Sequence, residues 1–279
     1  MLELQSVLAE ERSLYNAYAP SYRTSALFGS YFYRQERRIF VDWLLARLGG
    51  AGHDVPSLSY LDVGCGTGDV LELLADAGCA RLTGLDVAEA TLSPRHHRSS
   101  PHVRLIHGSI EECDFGGETF DVIVCFLTLH HLLDPGAFFD LVDRQLAPGG
   151  SFAVFEYDPT SWWTKRGWKT LVHGLAMPLR LACRFKNRAA LARLEEVPAR
   201  FNPAHRLRAP VEIRAAMRNP EGYELETRAR GVFIPSLKDV LVGDSALDRA
   251  LYRGIDRIDG IAVHATGGFF HYLMGTRRA

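Results

Sequence analysis

The sequence predicts an α/β protein built on a doubly wound, mostly parallel sheet. Between residues 59 and 158, short β-type runs alternate with helical patterns, and this alternation implies right-handed crossovers with helices on both faces of a sheet. The run "FDVIVCFLTL" is almost entirely apolar, which is typical of a strand buried on both faces. These two observations define the fold class.

The elements follow one another in a regular order. The strand candidates are "SYLDVG", "ARLTGLDV", "HVRLIHG", "FDVIVCFLTL" and "SFAVFEYD". Between them we predict the helices "DVLELLADAG", "AEATLSPRHH", limited by Pro94, and "DPGAFFDLVDRQL", broken by "APGG". Upstream, "YRQERRIFVDWLLARLGG" predicts an amphipathic helix with Phe40, Trp43, Leu44 and Leu48 on its inner face. Two later strand candidates, "YELETRARGVFI" and "GGFFHYLMGTR", flank a helix-like segment.

The 279 residues are interpreted as one domain, residues 1–279, in four parts. These are an N-terminal helical lid (1–50), a ligand-binding core (51–159), a basic, aromatic cap insertion (160–218) and C-terminal edge strands with a helix (219–279). Net charge is −1, which argues against a dedicated nucleic-acid binder. The cap insertion alone carries thirteen Lys and Arg against three Glu.

Targeting signals and metal motifs are not evident in the sequence. It has no apolar run long enough to span a membrane, and its start, "MLELQSVLAEERS", does not resemble a signal peptide. The five cysteines form no C-x-x-C pair, and we interpret them as reduced packing thiols of a cytoplasmic protein. The eleven histidines show no metal-ligand spacing, so no metal site is expected.

The stretch "LDVGCGTGDV" predicts a ligand-binding turn between a strand and a helix. A phosphate-gripping loop needs Lys and Ser or Thr after its last glycine, whereas Asp69 follows Gly68 here, so ATP is disfavoured. Dinucleotides favour G-x-G-x-x-G, and Gly64, Gly66 and Gly68 are spaced one residue tighter. The methionine end of S-adenosyl-L-methionine (SAM) needs close backbone approach and a nearby acid, for which Asp62 is the candidate.

Asp86 ends the second strand candidate in "LTGLDV" and can accept two hydrogen bonds from a ribose diol. The same feature suits NAD. An NAD-dependent oxidoreductase therefore stays open as an alternative.

Four ordered blocks resemble the class I SAM-dependent methyltransferase family: "YLDVGCGTGDV", "LTGLDVAEATL", "HGSIEECDF" followed by "FDVIVCFLTLHHLLDP", and "LAPGGSFAVFE". The resemblance covers residues 55 to 160 and implies a Rossmann-like sheet ending in an antiparallel edge hairpin, with SAM as cofactor. It implies that Gly64, Cys65, Gly66 and Gly68 wrap the methionine moiety and that Asp86 holds the ribose. Val87 and Ile110 would flank the adenine, and the backbone at Cys125 and Phe126 would receive the ammonium.

The resemblance also contains one departure and one further feature. Ser109 stands where the family often has an Asp that binds the adenine amino group, so Ser109 or Glu111 would substitute. The N-terminal "YNAYAPSYR" looks like the family's tyrosine-rich lid, which would bring Tyr22 to the cofactor. The alternative is that these tyrosines are packing residues.

The candidate catalytic residues follow the fourth and fifth strands, at the edge where ligands bind in such sheets. His131 in "LTLHHLLDP" is the candidate general base, with His130 as the second choice, because imidazole titrates near neutrality. The alternative is that the pair only holds its loop. Glu156 is a further candidate, with a capping role as its alternative. His264 and His271 are expected to serve packing or surface roles.

These observations predict a SAM-dependent methyltransferase acting on a small molecule, by O-methylation of an aromatic or lipophilic metabolite. The alternatives are methylation of a membrane-associated lipid or quinone precursor, or SAM binding without transfer. Residues 160–188, with three tryptophans among several cations, have three interpretations: a pocket cap, a structural cap, or a peripheral membrane contact. No nucleic-acid partner is expected, and the oligomeric state is not predicted.

Overall fold

The computed structural model describes residues 2–21, 30–92, 103–160, 206–231, 245–266 and 270–278, together with residues 174, 177 and 268. Tyr22, Cys183 and most of the cap insertion lie outside the described residues. The division of the chain into four parts stays a prediction. The strands are β1 (Ser59–Val63), β2 (Arg81–Asp86), β3 (Val103–His107), β4 (Phe120–Phe126), β5 (Leu146–Tyr157), β6 (Tyr223–Arg230) and β7 (Phe270–Arg277). The α-helices are α1 (Leu2–Tyr18), α2 (Tyr31–Gly50), α3 (Asp69–Asp76), α4 (Gly136–Gln145), α5 (Pro210–Ala215) and α6 (Ala246–Thr266).

The strands form one seven-stranded sheet in the order β3-β2-β1-β4-β5-β7-β6. Strands β1 to β5 pair in parallel, whereas β7 runs antiparallel to both β5 and β6. The doubly wound, mostly parallel sheet with an antiparallel edge is therefore confirmed. The order reverses between β1 and β4, and the carboxyl ends of these strands border the crevice where such sheets bind ligands.

The predicted second crossover helix is wrong over its described part. Residues Glu89–Leu92 form a short 3-10 turn, and the rest of "AEATLSPRHH" lies outside the described residues. The physical reason is local hydrogen bonding by side chains. The Thr91 hydroxyl donates to the Ala88 carbonyl at 2.6 Å, and the Ala88 amide donates to the Asp86 carboxylate at 2.8 Å, which favours a tight turn over a helix.

The fifth strand begins earlier than expected. We predicted that "APGG" would separate it from α4, but β5 starts at Leu146 and continues through this motif. Leu146 pairs with Phe120, and the register shifts before Ser151 pairs with Val122. A Cβ at Gly150 would lie 2.8 Å from the Asp121 carbonyl oxygen, so the close approach of the two backbones requires glycine there.

The hydrophobic core lies on both faces of the sheet. On one face, α2, α3 and α6 pack over the even-numbered core residues of β1 and β4, and the predicted inner face of α2 is buried. On the other face, α4 and α5 cover Leu61, Ile123 and Val154. The four described cysteines, Cys65, Cys79, Cys113 and Cys125, are free thiols. Among the described helices, none has the length and hydropathy that crossing a membrane requires.

A buried ionic cluster joins α2, β6 and α6. The Arg230 guanidinium donates to both carboxylate oxygens of Glu36, at 2.7 and 3.1 Å, and to Asp256 at 2.9 Å. The Tyr252 hydroxyl donates to Glu36 at 2.8 Å. Burial lowers the pKa of Arg230, but the charge of Glu36 outweighs it and the pKa is raised. Glu36 is 1% exposed, so losing its charge would strand a desolvated cation.

Replacing this carboxylate tests the cluster. Glu36→Gln is expected to lower the free energy of unfolding by about 3 to 5 kcal/mol, because it leaves Arg230 buried without its main counter-charge. Urea unfolding followed by circular dichroism measures the change. The matched control is Glu226→Gln, which removes the exposed partner of Arg47 and should cost less than about 1 kcal/mol. Equal losses in the two variants would contradict a special role for the buried cluster.

Candidate active site

The glycine turn after β1 adopts a conformation that favours glycine at three positions. Gly64, Gly66 and Gly68 have φ angles of +72°, +51° and +77°. A Cβ at Gly64 would lie 2.3 Å from the Thr128 side chain, whereas a Cβ at Gly66 would meet nothing within 4 Å. A side chain at Gly66 would therefore enter open space beside the turn. Cys65 is buried within the turn.

Two aspartates flank this turn from neighbouring strands. Asp62, in β1, is 1% exposed, and its Oδ2 has no hydrogen-bond partner among the residues that the structure describes. Burial, with repulsion from Asp86 and Asp69, raises the pKa of Asp62 to about 8. Asp86, at the end of β2, accepts from the amides of Gly66 and Ala88, each at 2.8 Å. Burial raises the pKa of Asp86, while these amide bonds oppose the rise.

The residues expected around the adenine lie beyond Asp86. The carbonyl oxygen of Val87 is 3.1 Å from His107 Nε2, and both Ser109 and Ile110 are buried directly after β3. Burial raises the pKa of Glu111, and neither Ser109 Oγ nor Glu111 Oε2 has a hydrogen-bond partner among the described residues. These two residues stand at the position where the family often has an aspartate.

The end of β4 is locked to the glycine turn. Cys125 is fully buried, and burial raises the pKa of its thiol well above the ordinary value. After Phe126, Leu127 has a φ angle of +51°, a strained value for a residue with a branched side chain. The Thr128 hydroxyl then donates to the Gly64 carbonyl at 3.4 Å and to the Phe126 carbonyl at 3.3 Å. Sequence reasoning missed both Leu127 and Thr128.

His130 is held by Glu156, the last buried residue of β5. His130 Nδ1 lies 2.7 Å from Glu156 Oε1, and the His130 amide donates to Glu156 Oε2 at 3.2 Å. Burial by itself would raise the pKa of Glu156, but the charge and hydrogen bond of His130 outweigh burial and lower it. Glu156 is 1% exposed and His130 5%, so this contact is a buried link between the loop after β4 and the end of β5.

His131 faces the N-terminal helix. The Tyr15 hydroxyl lies 2.9 Å from His131 Nε2, closer than the 3.4 Å to Nδ1, and Glu11 Oε1 is 3.7 Å from Nδ1. Glu11 and Tyr15 are four residues apart and thus share one face of α1. Burial and the charge of His130 lower the pKa of His131 from its ordinary value. No sequence signal near His131 identified Glu11, because the contact joins residues more than a hundred positions apart.

The other histidines and tyrosines considered in the sequence lie in different environments. His271, in β7, is 4% exposed, and both ring nitrogens have no partner among the described residues. The Tyr157 hydroxyl lies 2.6 Å from the Tyr33 hydroxyl, and the Tyr157 ring packs against Phe270. The side chain of His264 lies outside the described residues. Within the described ranges, no three His, Cys, Asp or Glu side chains form a metal-binding group.

The residues present fit the methionine end and ribose of SAM. The unpartnered Oδ2 of Asp62 is a buried acceptor suited to an ammonium group, and the open space at Gly66 admits a ligand where any side chain would intrude. Asp86 would hold the ribose hydroxyls. The residues that would hold SAM thus come from the carboxyl ends of β1, β2 and β4. The individual cofactor and catalytic assignments stay predictions.

Titration of Asp62 provides a test of this fit. Below pH 8 the free protein carries a proton on Asp62, and pairing with the ligand ammonium must release it. The affinity for S-adenosylhomocysteine should therefore rise by up to about tenfold per pH unit towards pH 8 and then level off. In Asp62→Asn this rise should be lost, and binding at pH 8 should weaken by about 10- to 100-fold.

Calorimetry in buffers of different ionisation enthalpy measures both the affinity and the released proton. Asp76→Asn, the same change at an exposed residue of α3, is the control and should behave as the wild type. Equal pH slopes in the Asp62→Asn variant and the wild type would show that Asp62 does not receive the ligand, because the ligand's own titration is common to both.

Comparison with known proteins gives a consistent result for the core of the chain. Residues 61–154 match the family model described as a methyltransferase domain. A Mycolicibacterium smegmatis protein named a probable S-adenosylmethionine-dependent methyltransferase is 39% identical over 37% of this chain and 38% of its own length. The ubiquinone biosynthesis O-methyltransferase of Pseudomonas fluorescens is 33% identical over 44% of this chain and 53% of its own length. The chain thus spans about half or less of these curated relatives.

Among solved structures, the fold is similar to Haemonchus contortus phosphoethanolamine N-methyltransferase 2, which contains S-adenosylhomocysteine. The TM-score is 0.52 at 15% identity, covering 85% of this chain and 53% of that one. At this identity the likeness concerns the fold alone. The matched domain, the strand order and the glycine turn together identify residues 61–154 as a SAM-dependent methyltransferase domain with the class I fold, whose cofactor is SAM.

Proposed function

We propose that this protein transfers a methyl group from SAM to the hydroxyl group of a small aromatic or lipophilic acceptor. The observation that carries the proposal is the contact of Tyr15 with His131 Nε2 at 2.9 Å, at the loop that follows β4. A hydroxyl acceptor must lose a proton as it is methylated, and this pair offers a path for that proton. When bound, SAM supplies a methyl group made electrophilic by its sulfonium.

The protonation state of His131 follows from its partners. A ring proton on Nδ1 would lie towards Glu11 Oε1, which is 3.7 Å away and not hydrogen-bonded to it, and this tautomer leaves Nε2 to accept from Tyr15. Because burial lowers the pKa of His131, the imidazole is neutral at physiological pH and ready to accept a proton. Glu11 then stabilises the imidazolium that results.

The proton moves in two linked transfers. The acceptor hydroxyl would give its proton to Tyr15 as Tyr15 passes its own to His131 Nε2. The acceptor oxygen would then be free to bond the methyl group that bound SAM would supply, with breakage of the sulfur–methyl bond and S-adenosylhomocysteine as the leaving group. Returning the proton to solvent after product release restores neutral His131. Glu156 and His130 hold the loop and do not exchange protons with the acceptor in this scheme.

Aromatic side chains near this edge support an aromatic acceptor. Tyr33 and Tyr157 are joined by their hydroxyl groups, and the Tyr157 ring contacts both His130 and Phe270. Tyr33 and Phe270 are buried, so of these three rings Tyr157, which is half-buried, is the one placed to stack on a flat apolar ligand. The curated relatives named ubiquinone biosynthesis O-methyltransferases also support a phenolic acceptor, since their name specifies O-methylation.

The proton path predicts a defined loss of activity. Tyr15→Phe and His131→Ala should each lower kcat by about 10²- to 10⁴-fold while leaving the affinity for S-adenosylhomocysteine within about threefold. Transfer of labelled methyl groups to a panel of catechols and phenols measures kcat. In the wild type, kcat should rise with pH below the ordinary histidine value of about 6.5 and be level above it, because the neutral imidazole is the active form.

Tyr223→Phe is the matched control for the tyrosine change. Tyr223 donates to Asp143 on the far side of the sheet, so its loss should leave kcat unaltered. A wild-type kcat of His131→Ala at saturating acceptor would show that His131 is not the general base. Binding of S-adenosylhomocysteine without transfer to any acceptor would favour a SAM-binding protein, and stabilisation by NAD but not by S-adenosylhomocysteine would favour an oxidoreductase.

A membrane-associated acceptor, such as a quinone precursor, is the second candidate. It is favoured by the tryptophan- and cation-rich sequence of residues 160–188, which lie almost wholly outside the described residues, and by the relatives' names. Cytoplasmic location stays a prediction.

Flotation with anionic vesicles tests the membrane contact. The protein should co-float at low salt, and both added salt and charge removal by Lys165→Gln, Arg166→Gln and Lys169→Gln should abolish this, because screening weakens exposed charge contacts. Absence of co-flotation at low salt would exclude this contact.

A further inference from the structure

A buried arginine contacts the loop that carries His130 and His131. Arg208 lies just before α5, at the end of the basic insertion, and is 7% exposed. Its Nη1 donates to the carbonyl oxygens of Leu129 at 3.1 Å and Arg206 at 3.2 Å. Its Nη2 donates to the carbonyl oxygens of Leu132 at 2.9 Å and Leu133 at 3.1 Å. One guanidinium thus binds the carbonyls on both sides of the two histidines.

The backbone next to Arg208 also binds this turn. The Arg206 amide donates to the His130 carbonyl at 2.8 Å. Glu212 braces this segment by accepting from the Arg206 side chain at 2.6 Å and from the Ala209 amide at 2.8 Å. Four carbonyls of residues 129–133 therefore bind the 206–208 segment, while Glu156 binds the amide and ring of His130 from the other side.

The charge of Arg208 is costly where it lies. Among the described ion pairs none includes Arg208, and its acceptors are neutral carbonyl groups. Burial and the nearby Arg206 lower the pKa of Arg208, with Glu156 and Glu212 acting only at longer range against this effect. A desolvated charge without a close counter-ion is a poor source of stability. Its planar fork of donors, however, binds four carbonyl oxygens at once, whereas a lysine ammonium has three N–H groups and no fixed planar geometry.

We propose that Arg208 is a positioning residue for His131, holding the 129–133 turn so that the imidazole meets Tyr15 and the acceptor. This proposal rests on the proposed function, since it assigns Arg208 to the loop that carries the base. Arg208 itself touches neither acceptor nor cofactor. Its effect is on where His131 lies, and a displacement of about 1 Å in a reacting group can cost on the order of 100-fold in rate.

The test compares Arg208→Lys and Arg208→Gln with Arg206→Lys. Arg206 is the matched control because its side chain is exposed and, within the described part of the chain, bonds Glu212, while its turn contact is made by the backbone. Three readouts are taken on the full chain: affinity for S-adenosylhomocysteine, kcat and KM for methylation of catechol, and the titration of His131 by NMR of isotope-labelled histidine.

Both Arg208 variants should lower kcat by tenfold or more, with KM and S-adenosylhomocysteine affinity within about threefold of wild type. The pKa of His131 should move towards its ordinary value, because a loosened turn exposes the ring. The titration of His131 also depends on the charged and polar groups that face it, and both variants leave these groups unchanged. They are Glu11, Tyr15, Asp86, His130 and Glu156. Arg206→Lys should match the wild type in all three readouts.

Failure of this inference differs from failure of the proposed function. If the wild type does not methylate catechol, the acceptor assignment is at fault, and the His131 titration still decides the role of Arg208. Wild-type kcat and an unshifted His131 in folded Arg208→Lys would overturn the inference. Unfolding of both Arg208 variants, with Arg206→Lys folded, would also overturn it by making Arg208 a stability residue.

Discussion

The ligand edge of the sheet depends on one buried carboxylate. Glu156 lies at the end of β5 with 1% of its surface exposed, and it accepts from the His130 ring, the His130 amide and the Tyr157 amide. Three donors compensate the cost of removing this charge from water. Because Glu156 belongs to β5 and His130 follows β4, their bond fixes the ends of two adjacent strands relative to each other. His131 is the next residue, so its position is set by the same bond.

The fold and the glycine turn were predictable from local sequence patterns, whereas contacts between residues far apart in the sequence were not. Gly64, Gly66 and Gly68 were predictable because their requirement for positive φ depends on the few residues of one turn. The helical and strand periods likewise reflect which faces are buried, and the seven strand candidates followed from them, whereas the order of the strands in the sheet is a finding of the structure. The 3-10 turn after β2 was missed because side-chain hydrogen bonds from Thr91 and to Asp86 outweighed the helical pattern.

The contacts around His131 were not predictable, for the opposite reason. Tyr15 is separated from His131 by 116 positions and Arg208 from Leu129 by 79, and neither pair leaves a periodic trace in the sequence. The excess of basic residues in 160–218 was evident from the sequence. A count of charges does not show, however, that Arg208 is buried against the turn that carries His130 and His131. Burial of a charged side chain is a property of tertiary packing.

The N-terminal helix contacts both halves of the site, and this imposes an order on the proposed reaction. Through Tyr15 and Glu11, α1 meets the base, and through Asn16, whose side chain accepts from the Ala90 amide at 2.8 Å, it meets the turn next to Asp86. A helix that moved away would leave His131 without Tyr15 and would expose the cofactor turn at the same moment. In the proposed reaction, His131 therefore has Tyr15 as its partner only while α1 lies over this edge. Coupling the two events confines proton transfer to a water-poor site, where the acceptor oxygen competes with little solvent for the methyl group.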